Sequence, residues 1–393
     1  MTSDLTFEAY AARLRAFIAR SSRGNEPHSF IAAFNELALA LFHLQHKHNT
    51  PYRRYCEGRR VVPDNISNWQ DIPAIPTSAF KELKLTSLGA DERTTVFLSS
   101  GTSEQRRSRH FHGADSLAIY EASLLPWFEP HLLADVNELI DEQLLGPLDK
   151  LPFLALTPPS SAAPNSSLVH MFETVRREFG SRDSLFAGRV ETTGAWTLDV
   201  EATLFAIRKS MCANRPLMLL GTAFNFVHLL DYFAAHNMRY CLARGSRVLE
   251  TGGYKGQSRE VPKAELHALI TKHLGTAPEY IVTEYGMSEL SSQAYDSVAG
   301  QGRAGCPQPA ANALASSRRG EDTAPYQRFF RFPPWCRAQV ISPETGCEVG
   351  DGETGLIRIF DLANVRSVMA IQTEDLGVRR GDGFELIGRA TQA

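Results

Sequence analysis

The first fifty residues carry apolar side chains at helical spacing. Within residues 30–42 the apolar positions recur every three or four residues, which is typical of one buried face of a helix. This pattern predicts two helices, and Pro51 ends the second because proline cannot donate a backbone hydrogen bond. Residues 63–76 contain three prolines and predict a rigid connector with no helix or strand of its own.

From about residue 94 the pattern changes to short, continuous apolar runs that alternate with helical stretches. The runs predict strands at 94–98, 152–156, 216–221, 247–252 and 280–286. The stretches between them predict helices at 114–125, 167–179, 199–213, 223–236 and 261–274. This alternation predicts an α/β fold with a mainly parallel sheet covered on both faces. Ligands on such sheets bind beyond the carboxyl ends of the strands.

Two segments of different character follow. Residues 298–324 are rich in Gly, Ala, Ser and Arg without periodicity, and they predict a mobile surface loop or an insertion over a binding site. Residues 326–389 are strand-rich and punctuated by glycine, which predicts a small antiparallel β unit. We therefore expect three regions: a helical N-terminal region (1–92), an α/β core that binds nucleotide and acyl group (93–325), and a small β-rich subdomain (326–393).

Composition and charge narrow the functional classes. The chain has 393 residues, 43% of them hydrophobic, and its charges sum to 41 − 44 = −3. A general nucleic-acid binder would carry a basic excess, so that class is not expected. No apolar run approaches the roughly 20 residues of a membrane helix, and the N-terminus lacks the pattern of a secretory signal. No feature of the sequence predicts an oligomeric state.

The cysteines indicate a reducing compartment. They form no CxxC pair and no zinc-type cluster with histidine. We expect free thiols and a cytoplasmic protein. The six positions are Cys56, Cys212, Cys241, Cys306, Cys336 and Cys347.

A loop of hydroxyl side chains follows the first predicted strand. Converging hydroxyl and backbone N–H donors suit phosphate oxygens, and glycine lets the backbone approach them closely. Arg106 can neutralise a polyphosphate, whereas a plain strand-end turn explains the same serines without a ligand. The loop is not a Walker A motif, since no GKS or GKT follows it. Its residues are Ser99, Ser100, Gly101, Thr102 and Ser103.

A pair of glycines ends the strand predicted at 247–252. Gly252 and Gly253, followed by Tyr254, let a flat ring lie against the backbone. A tight strand-to-helix turn is the alternative interpretation of the same residues.

A run of mixed chemistry follows the strand predicted at 280–286. An aromatic ring there can stack on a base, a hydroxyl can donate, and a carboxylate can hold Mg²⁺ beside phosphate. A capped helix start is compatible with the same run. The residues are Tyr285, Gly286, Met287, Ser288 and Glu289.

The last candidate lies in the predicted β unit. Asp375, in the stretch 372–377, can accept both hydroxyls of a ribose, although an isolated aspartate is usually a turn residue. Gly388 and Arg389 follow it. No motif is decisive by itself.

Together these motifs, in this order, resemble the adenylate-forming superfamily of acyl-CoA ligases, peptide-synthetase adenylation domains and beetle luciferases. Residues 99–103 resemble its phosphate loop, and 373–375 resemble its ribose-binding TGD motif with Glu374 in place of glycine. The glycine pair and residues 285–289 resemble its adenine sandwich and Mg²⁺ site. Gly388-Arg389 resembles the GR before the interdomain hinge. The nearest likeness is to the acyl-protein synthetases of bacterial luminescence operons, carried by IPAIPTSAFK (72–81), SSLVHM (166–171), TGGYKG (251–256), EYGMSELSSQAY (284–295) and FPPWCR (332–337).

The resemblance implies an adenylate-forming N-terminal-domain fold and an activity. ATP converts a carboxylic acid to an acyl-adenylate, and the acyl group passes to a thiol or other acceptor on a carrier-protein or reductase partner. ATP and Mg²⁺ are the implied cofactors, with Glu289 as the metal ligand and Thr102, Ser288 and Glu289 as the catalytic residues. Positioning and charge neutralisation supply most of the acceleration in such phosphoryl chemistry.

The sequence departs from the superfamily pattern in two places. The mobile C-terminal domain with its catalytic lysine is expected to be absent, and Lys255, Arg379 or Arg380 can supply compensating charge. The acyl-accepting cysteine of the luminescence synthetases has no counterpart at its usual position. Cys306, Cys336 and Cys347 are the conceivable substitutes, and an incidental thiol is the expected interpretation of each.

The resemblance also predicts an acyl pocket where His170, Gly221, Thr222 and Phe226 converge, for a fatty or aryl acid. Two alternatives stay open. One is an aryl- or acyl-CoA ligase, and the other is a catalytically degenerate nucleotide-binding scaffold of a reductase or carrier complex. A nicotinamide reductase is rejected because no GxGxxG follows a strand.

Overall fold

The structure is a computed structural model that describes residues 5–22, 27–100, 106–146, 149–254, 258–300 and 328–390. Its helices are α1 (Phe7–Ser21), α2 (Pro27–His48), α3 (Thr50–Gly58), α4 (Ala79–Glu82), α5 (Ala114–Leu132), α6 (Val136–Asp141), α7 (Ser167–Phe179), α8 (Val200–Cys212), α9 (Ala223–Ala235) and α10 (Lys263–Leu274). Its strands are β1 (Ile75–Pro76), β2 (Thr95–Leu98), β3 (Arg109–His112), β4 (Phe153–Ala155), β5 (Leu185–Phe186), β6 (Gly188–Val190), β7 (Trp196–Leu198), β8 (Met218–Thr222), β9 (Arg247–Thr251), β10 (Ile281–Tyr285), β11 (Ala294–Tyr295), β12 (Cys336–Ile341), β13 (Thr354–Asp361), β14 (Ala370–Arg380) and β15 (Gly383–Arg389).

The central sheet confirms the predicted parallel arrangement. Its strand order is β11-β10-β9-β8-β4-β5, and every neighbouring pair is parallel except β10 with β11. Helices cover both faces, so the strands are apolar on both sides. Leu220, Leu249 and Val282 face one hydrophobic cluster, which includes side chains of α5 and α7. The residues just before them face a second cluster formed with α8, α9 and α10.

The strand predicted at 94–98 does not join this sheet. β2 instead pairs with β3 in an antiparallel hairpin, with Thr95 opposite His112 and Leu98 opposite Arg109. The chain returns beside β2 within about ten residues, too short a connection for a parallel crossover. The expectation that this strand belongs to the parallel sheet was therefore wrong.

Side-chain caps explain why several helices begin where the pattern predicts. The hydroxyl of Ser166 accepts a hydrogen bond from Val169 N at 3.3 Å, and the carboxylate of Asp199 accepts one from Ala202 N at 3.1 Å. α5 is longer than the predicted 114–125, because it continues through Pro126 and Pro130. Burial of its last turns against the core offsets the lost backbone bonds.

The C-terminal β unit is antiparallel, as predicted, and gains one strand from the N-terminal region. Its order is β1-β14-β13-β12, with β15 also paired to β14. β1 lies in the proline-rich connector and pairs in parallel with β14, so residues 63–76 include a strand that was not expected. The sequence predicts that Pro51 ends the second helix. In the structure Pro51 lies in the first turn of a third helix, α3, a position where proline is favoured.

The helical N-terminal region packs directly on this β unit. The Tyr10 hydroxyl donates to the carbonyl of Leu362 at 3.1 Å, and the Gln45 side chain donates to that of Asn364 at 2.7 Å. One hydrophobic cluster joins these regions to one face of the central sheet. The predicted boundaries at 92 and 325 stay a prediction. Most of the segment 298–324 lies outside the described residues. None of the helices described is long and apolar enough to cross a membrane.

Candidate active site

Two of the predicted loops meet above the carboxyl edge of the central sheet. The Ser288 hydroxyl donates to the carbonyl of Leu98 at 3.2 Å. The Nδ1 atom of His110 lies 2.9 Å from the carbonyl oxygen of Ser288. Stretches almost two hundred residues apart in sequence therefore share one side of the molecule.

The described part of the phosphate-loop candidate is closed at its base by two hydrogen bonds. Ser99 N donates to the carbonyl of Ser108 at 3.1 Å, and Ser108 N donates to the Ser99 hydroxyl at 2.9 Å. Ser100 is exposed. Arg106 is exposed and forms an ion pair with Glu82. Gly101, Thr102 and Ser103 lie outside the described residues, so their roles stay predictions.

The glycine pair at the end of β9 borders open space. Among the described residues, a side chain added at Gly252 would meet no atom within 4 Å, and Gly253 has a φ of 112°, which favours glycine. Tyr254 is directed away from solvent, and its hydroxyl donates to the carbonyl of Val261 at 2.5 Å. Contact of an adenine ring with the backbone of Gly252 stays a prediction.

Tyr285 connects the central sheet to the β unit. Its hydroxyl donates to Oδ2 of Asp375 at 2.8 Å, and Arg389 Nε lies 3.6 Å from Oδ1 of the same carboxylate. Burial raises the pKa of Asp375, and the Tyr285 hydrogen bond opposes that rise. These contacts bring three predicted nucleotide-binding residues together.

The ring of Tyr285 is more enclosed than a stacking platform requires. It is 7% exposed and packs within about 6 Å of three aromatic rings. These rings belong to Phe330, Phe332 and Phe384. Stacking of adenine on this ring stays a prediction.

Glu289 is a buried carboxylate in the loop after β10. We use the word crevice for the region where this loop, the Leu98–Ser99 strand end and the Asp375–Arg389 pair meet. Burial raises its pKa, and a hydrogen bond from the Ser108 hydroxyl together with the charges of Arg389 and Lys81 opposes the rise. Gly286 precedes it in a tight bend, where a Cβ would lie 2.2 Å from a carboxylate oxygen of Glu284. Met287 is half-buried and packs against the core.

The described residues contain no cluster of three or more acidic, histidine or cysteine side chains that could hold a metal alone. Mg²⁺ characteristically uses one or two carboxylates together with phosphate oxygens and water. Glu289 fits that pattern, because a divalent cation would offset the cost of burying its charge.

Sequence reasoning missed a clamp that holds the Glu289 loop. Asp361, at the end of β13, accepts hydrogen bonds from Ser291 N at 2.8 Å and Ser292 N at 2.9 Å. The side chain of Asn364 donates to the carbonyl of Glu289 at 2.8 Å. The one signal in the sequence is that Asp361 and Asn364 are polar residues at the end of an apolar strand. That signal does not show which distant groups they bind.

The four predicted acyl-pocket residues lie on two faces of the central sheet. His170 lies on the α7 side, with its ring 5.4 Å from that of Phe97 and its Nε2 3.5 Å from Glu121. Phe226 is fully buried in the cluster on the opposite face, where it contacts Gly221. Successive residues of a strand point to opposite faces, so Thr222 lies on the side of His170 and Gly221 does not. A single acyl pocket that includes both His170 and Phe226 stays a prediction.

Thr222 also has a structural role at this edge. Its hydroxyl accepts a hydrogen bond from Asn225 N at 3.3 Å and so caps α9. Burial lowers the pKa of His170, which favours a neutral imidazole. Contact of these two residues with the substrate stays a prediction.

The residues considered as substitutes for the superfamily's lysine and the acyl-accepting cysteine are, where described, engaged elsewhere or exposed. Arg379 donates to the carbonyl of Val349 at 2.7 Å, and Arg380 pairs with Glu385 at 2.9 Å. Cys336 is buried, and burial raises the pKa of its thiol well above the usual value. Cys347 is an exposed free thiol. Lys255 and Cys306 lie outside the described residues.

Comparison with known proteins agrees with the motifs. Residues 25–112 match the family model described as acyl-protein synthetase, LuxE. The long-chain-fatty-acid–luciferin-component ligase of Aliivibrio fischeri is 23% identical over 350 residues, which span 88% of this chain and 78% of that protein. The chain resembles the acyl-protein synthetases. The corresponding Vibrio harveyi ligase is 23% identical over 356 residues, 88% of this chain and 79% of its own length.

A solved structure shares the fold of this chain. The 2-hydroxyisobutyryl-CoA ligase, in its postadenylation state with 2-HIB-AMP, superposes with a TM-score of 0.60 at 11% identity. The match covers 95% of this chain and 70% of that one. The predicted α/β fold with a mainly parallel sheet is confirmed.

Proposed function

We propose that the protein uses ATP to convert a carboxylic acid to an acyl-adenylate and then transfers the acyl group to a thiol on a partner protein. The observation that carries this proposal is the crevice in which the Leu98–Ser99 strand end, the Ser288–Glu289 loop and the Asp375–Arg389 pair meet. The resemblance to acyl-protein synthetases supplies the reaction class.

The first step forms a bond between a carboxylate oxygen of the acid and the α-phosphorus of ATP. The bond from that phosphorus to the bridging oxygen breaks, and pyrophosphate leaves with the electron pair. Residues 99–103 and Arg106 stabilise the phosphate charge, and Ser288 donates a hydroxyl beside them. Asp375 accepts hydrogen bonds from the ribose hydroxyls. The Tyr285 hydroxyl must then release the Asp375 carboxylate or share it with the ribose.

Mg²⁺ is the proposed metal, held by Glu289 and by phosphate oxygens. When bound, it neutralises charge on the phosphates. Glu289 contributes by presenting a carboxylate that the Ser108 hydrogen bond holds in one orientation. The carboxylate of Glu289 binds the cation only when it is ionised, so its raised pKa predicts weaker metal binding at acidic pH.

The second step consumes the adenylate. A thiol sulfur of the partner attacks the acyl carbonyl carbon, the bond to the AMP oxygen breaks, and the thiol proton passes to solvent or to a nearby base. The names of the two relatives specify a long-chain fatty acid, and we propose that substrate class here. The acceptor is proposed to be a carrier or reductase protein.

Pyrophosphate release tests the first step. Purified protein is incubated with ATP, Mg²⁺ and a panel of fatty acids of increasing length together with aryl acids. We expect release with a long-chain acid and a large loss in Glu289→Gln, whereas the exposed control Glu344→Gln retains activity. A thioester formed only after addition of coenzyme A would favour a CoA ligase. ATP binding without release across the panel would favour the scaffold.

Mass spectrometry tests the second step. After incubation with ATP and the acid, we expect the acyl group as free adenylate and no adduct on the protein. An acyl group on an internal cysteine that a nucleophile can chase would overturn transfer to a separate acceptor.

A further inference from the structure

A histidine and a glutamate form a pair beside the crevice, and the two reaction steps described so far give neither of them a chemical role. His170 is the fourth residue of α7, and its Nε2 lies 3.5 Å from Oε1 of Glu121 on α5. Arg177 donates to Oε2 of the same carboxylate at 2.8 Å, and the Thr174 hydroxyl lies 3.5 Å from Oε1. Glu121 is therefore held between two helices with one oxygen near the imidazole ring.

The helix that carries His170 begins against the strand end that forms the crevice. Leu98 N donates to the carbonyl of Asn165, just before α7, at 2.9 Å, and the Leu98 carbonyl accepts from the Ser288 hydroxyl. The ring of His170 lies 5.4 Å from that of Phe97, the residue before Leu98. The pair therefore borders the phosphate-loop side of the crevice, on the face of the central sheet that α5 and α7 cover.

The surroundings of His170 favour a neutral ring with an available lone pair. Burial lowers its pKa, and the charge of Arg177 acts in the same direction, whereas Glu121 and Glu173 oppose the shift. Nε2 is buried, and 24% of the side chain is exposed. With Nε2 facing a carboxylate, the favoured tautomer carries its proton there and leaves the lone pair on Nδ1.

The transfer step releases a proton that some group must accept. A thiol attacks as its thiolate, and most thiols are protonated at neutral pH. Glu289 and Asp375 are already proposed for the metal and the ribose. His110 and His112 lie nearby, but they are only 2% and 1% exposed. Of these groups, His170 is the one that combines a lone pair with a side chain that a second substrate can reach.

We propose that His170, oriented by Glu121, is the general base that accepts the thiol proton during acyl transfer. As the sulfur forms its bond to the acyl carbonyl carbon, the S–H proton moves to Nδ1, the carbon–oxygen bond to AMP breaks, and AMP leaves with the electron pair. The proton then passes from the imidazolium to solvent, which restores the base. This inference rests on the proposed function, because it requires an acyl-adenylate and a thiol acceptor.

A general base in this position gives the transfer step a characteristic pH dependence. The charged and titratable groups around the ring are Glu121 on α5, Glu173 and Arg177 on α7, and His112 on β3. Protonation of the ring removes the lone pair, so the transfer rate should fall as the pH drops through the pKa of His170. Because burial lowers that pKa, the fall should lie below the usual histidine value of about 6.5.

Two thiols of different acidity separate base catalysis from substrate binding. Synthetic hexadecanoyl-adenylate is supplied directly, which bypasses the first step, and thioester formation is followed with N-acetylcysteamine or with 2,2,2-trifluoroethanethiol. At mildly alkaline pH the first thiol is mainly protonated and needs a base, whereas the second attacks largely as its thiolate. We expect His170→Gln to slow transfer to N-acetylcysteamine about a hundredfold, and transfer to the acidic thiol by less than about threefold. Added imidazole should restore part of the transfer to N-acetylcysteamine in His170→Ala.

The matched control is His236→Gln, an exposed histidine at the end of α9, which should transfer to both thiols at the unmodified rate. Circular dichroism establishes that each variant is folded, and Glu121→Gln, which removes the orienting charge, carries the comparison if the His170 variants do not fold. Equal slowing with both thiols, or an unchanged rate in a folded variant of the pair, would overturn this inference and leave the proposed function intact. If the unmodified protein accelerates neither transfer, this inference and the second step of the proposed function both fail, while pyrophosphate release still tests the first.

Discussion

Replacing Asp361 with asparagine tests whether the β unit positions the catalytic loop. The Asp361 carboxylate is fully buried and accepts hydrogen bonds from Ser291 N, Ser292 N, the Ser292 hydroxyl and Ala363 N, at 2.8, 2.9, 2.7 and 3.0 Å. Burial raises its pKa, and these donors oppose the rise. Four donors are directed at its two oxygens, and each of them favours the ionised form.

The magnitude follows from what asparagine can replace. If its oxygen faces the Ser291 and Ser292 amides, its NH₂ group faces Ala363 N, which then loses its acceptor, while the Ser292 hydroxyl can reverse and accept. One charge-assisted hydrogen bond is lost, and the other hydrogen bonds now have a neutral amide as partner. Each change costs about 1 kcal/mol or more. We expect the free energy of unfolding of Asp361→Asn to fall by roughly 3 kcal/mol.

The same change should act on metal dependence, because the loop that begins at Glu289 loses part of its anchor. We expect the Mg²⁺ concentration for half-maximal pyrophosphate release to rise about tenfold, as is typical when a partner of a ligating carboxylate is removed. Urea unfolding and a Mg²⁺ titration measure the two effects, with the exposed ion-pair residue Asp382→Asn as the control.

Two results would refute this reasoning. A loss of stability below about 0.5 kcal/mol, the range of ordinary surface substitutions, would mean that the four hydrogen bonds do not hold the loop. A destabilised variant with unchanged Mg²⁺ dependence would mean that Asp361 supports packing and does not position Glu289.

Four further predictions concern single groups. Glu289→Gln should abolish most adenylate formation without loss of stability in thermal unfolding, because the buried charge is removed. Asp375→Ala should weaken ATP binding by about 1–3 kcal/mol in calorimetry, since a charged hydrogen-bond acceptor is lost. Burial lowers the pKa of His110 and His131 to about 4. The unfolded chain, with histidine pKa values near 6.5, therefore binds more protons as the pH falls, and each group should remove roughly 3 kcal/mol of stability between about pH 6.5 and 4 in urea unfolding. Cys336→Ala should retain pyrophosphate release and acyl transfer in the same assays, because its buried thiol has a raised pKa.

Each of these has a result that contradicts it. Unchanged activity in Glu289→Gln would remove Glu289 from the metal site, and unchanged ATP affinity in Asp375→Ala would leave Asp375 only as a structural partner of Tyr285 within β14. Stability that is flat between pH 6.5 and 4 would show that the two histidines are accessible to protons in the folded state. Loss of acyl transfer in a folded Cys336→Ala variant would make that thiol an acceptor.

The hydrophobic pattern predicts the central sheet well because its strands are buried on both faces. Continuous apolar runs at 216–221 and 247–252 became β8 and β9 within two residues, and polar caps such as Ser166 set the helix starts. The alternation that identifies a strand does not identify its partner, and for that reason β2 was assigned to the wrong sheet. Residues 75–76 were missed because two residues carry no periodic signal.

The candidate site was predictable in part, for a related reason. Strand ends in a parallel sheet share one edge, so the proximity of Gly252 and Tyr285 follows from the topology. The contacts of Asp361 with the Ser291–Ser292 amides join segments about seventy residues apart. A sequence pattern does not specify such a contact, since any buried carboxylate needs donors but does not name them.

The site depends on the interface between the sheet and the β unit. The Glu289 loop leaves the sheet at Tyr285, and its carbonyl and amide groups from Glu289 to Ser292 are bonded to the β unit through Asp361 and Asn364. The Tyr285 hydroxyl reaches Asp375 in the same unit. Asp375, the ribose candidate, and Asp361, which holds the Glu289 loop, lie on paired strands of the β unit. Displacement of that unit would therefore remove Asp375 from Tyr285 and the Asp361 clamp from the loop of Glu289, the metal candidate, at the same time. The proposed nucleotide site therefore depends on the packing of both units, and we expect adenylate formation to depend on that interface.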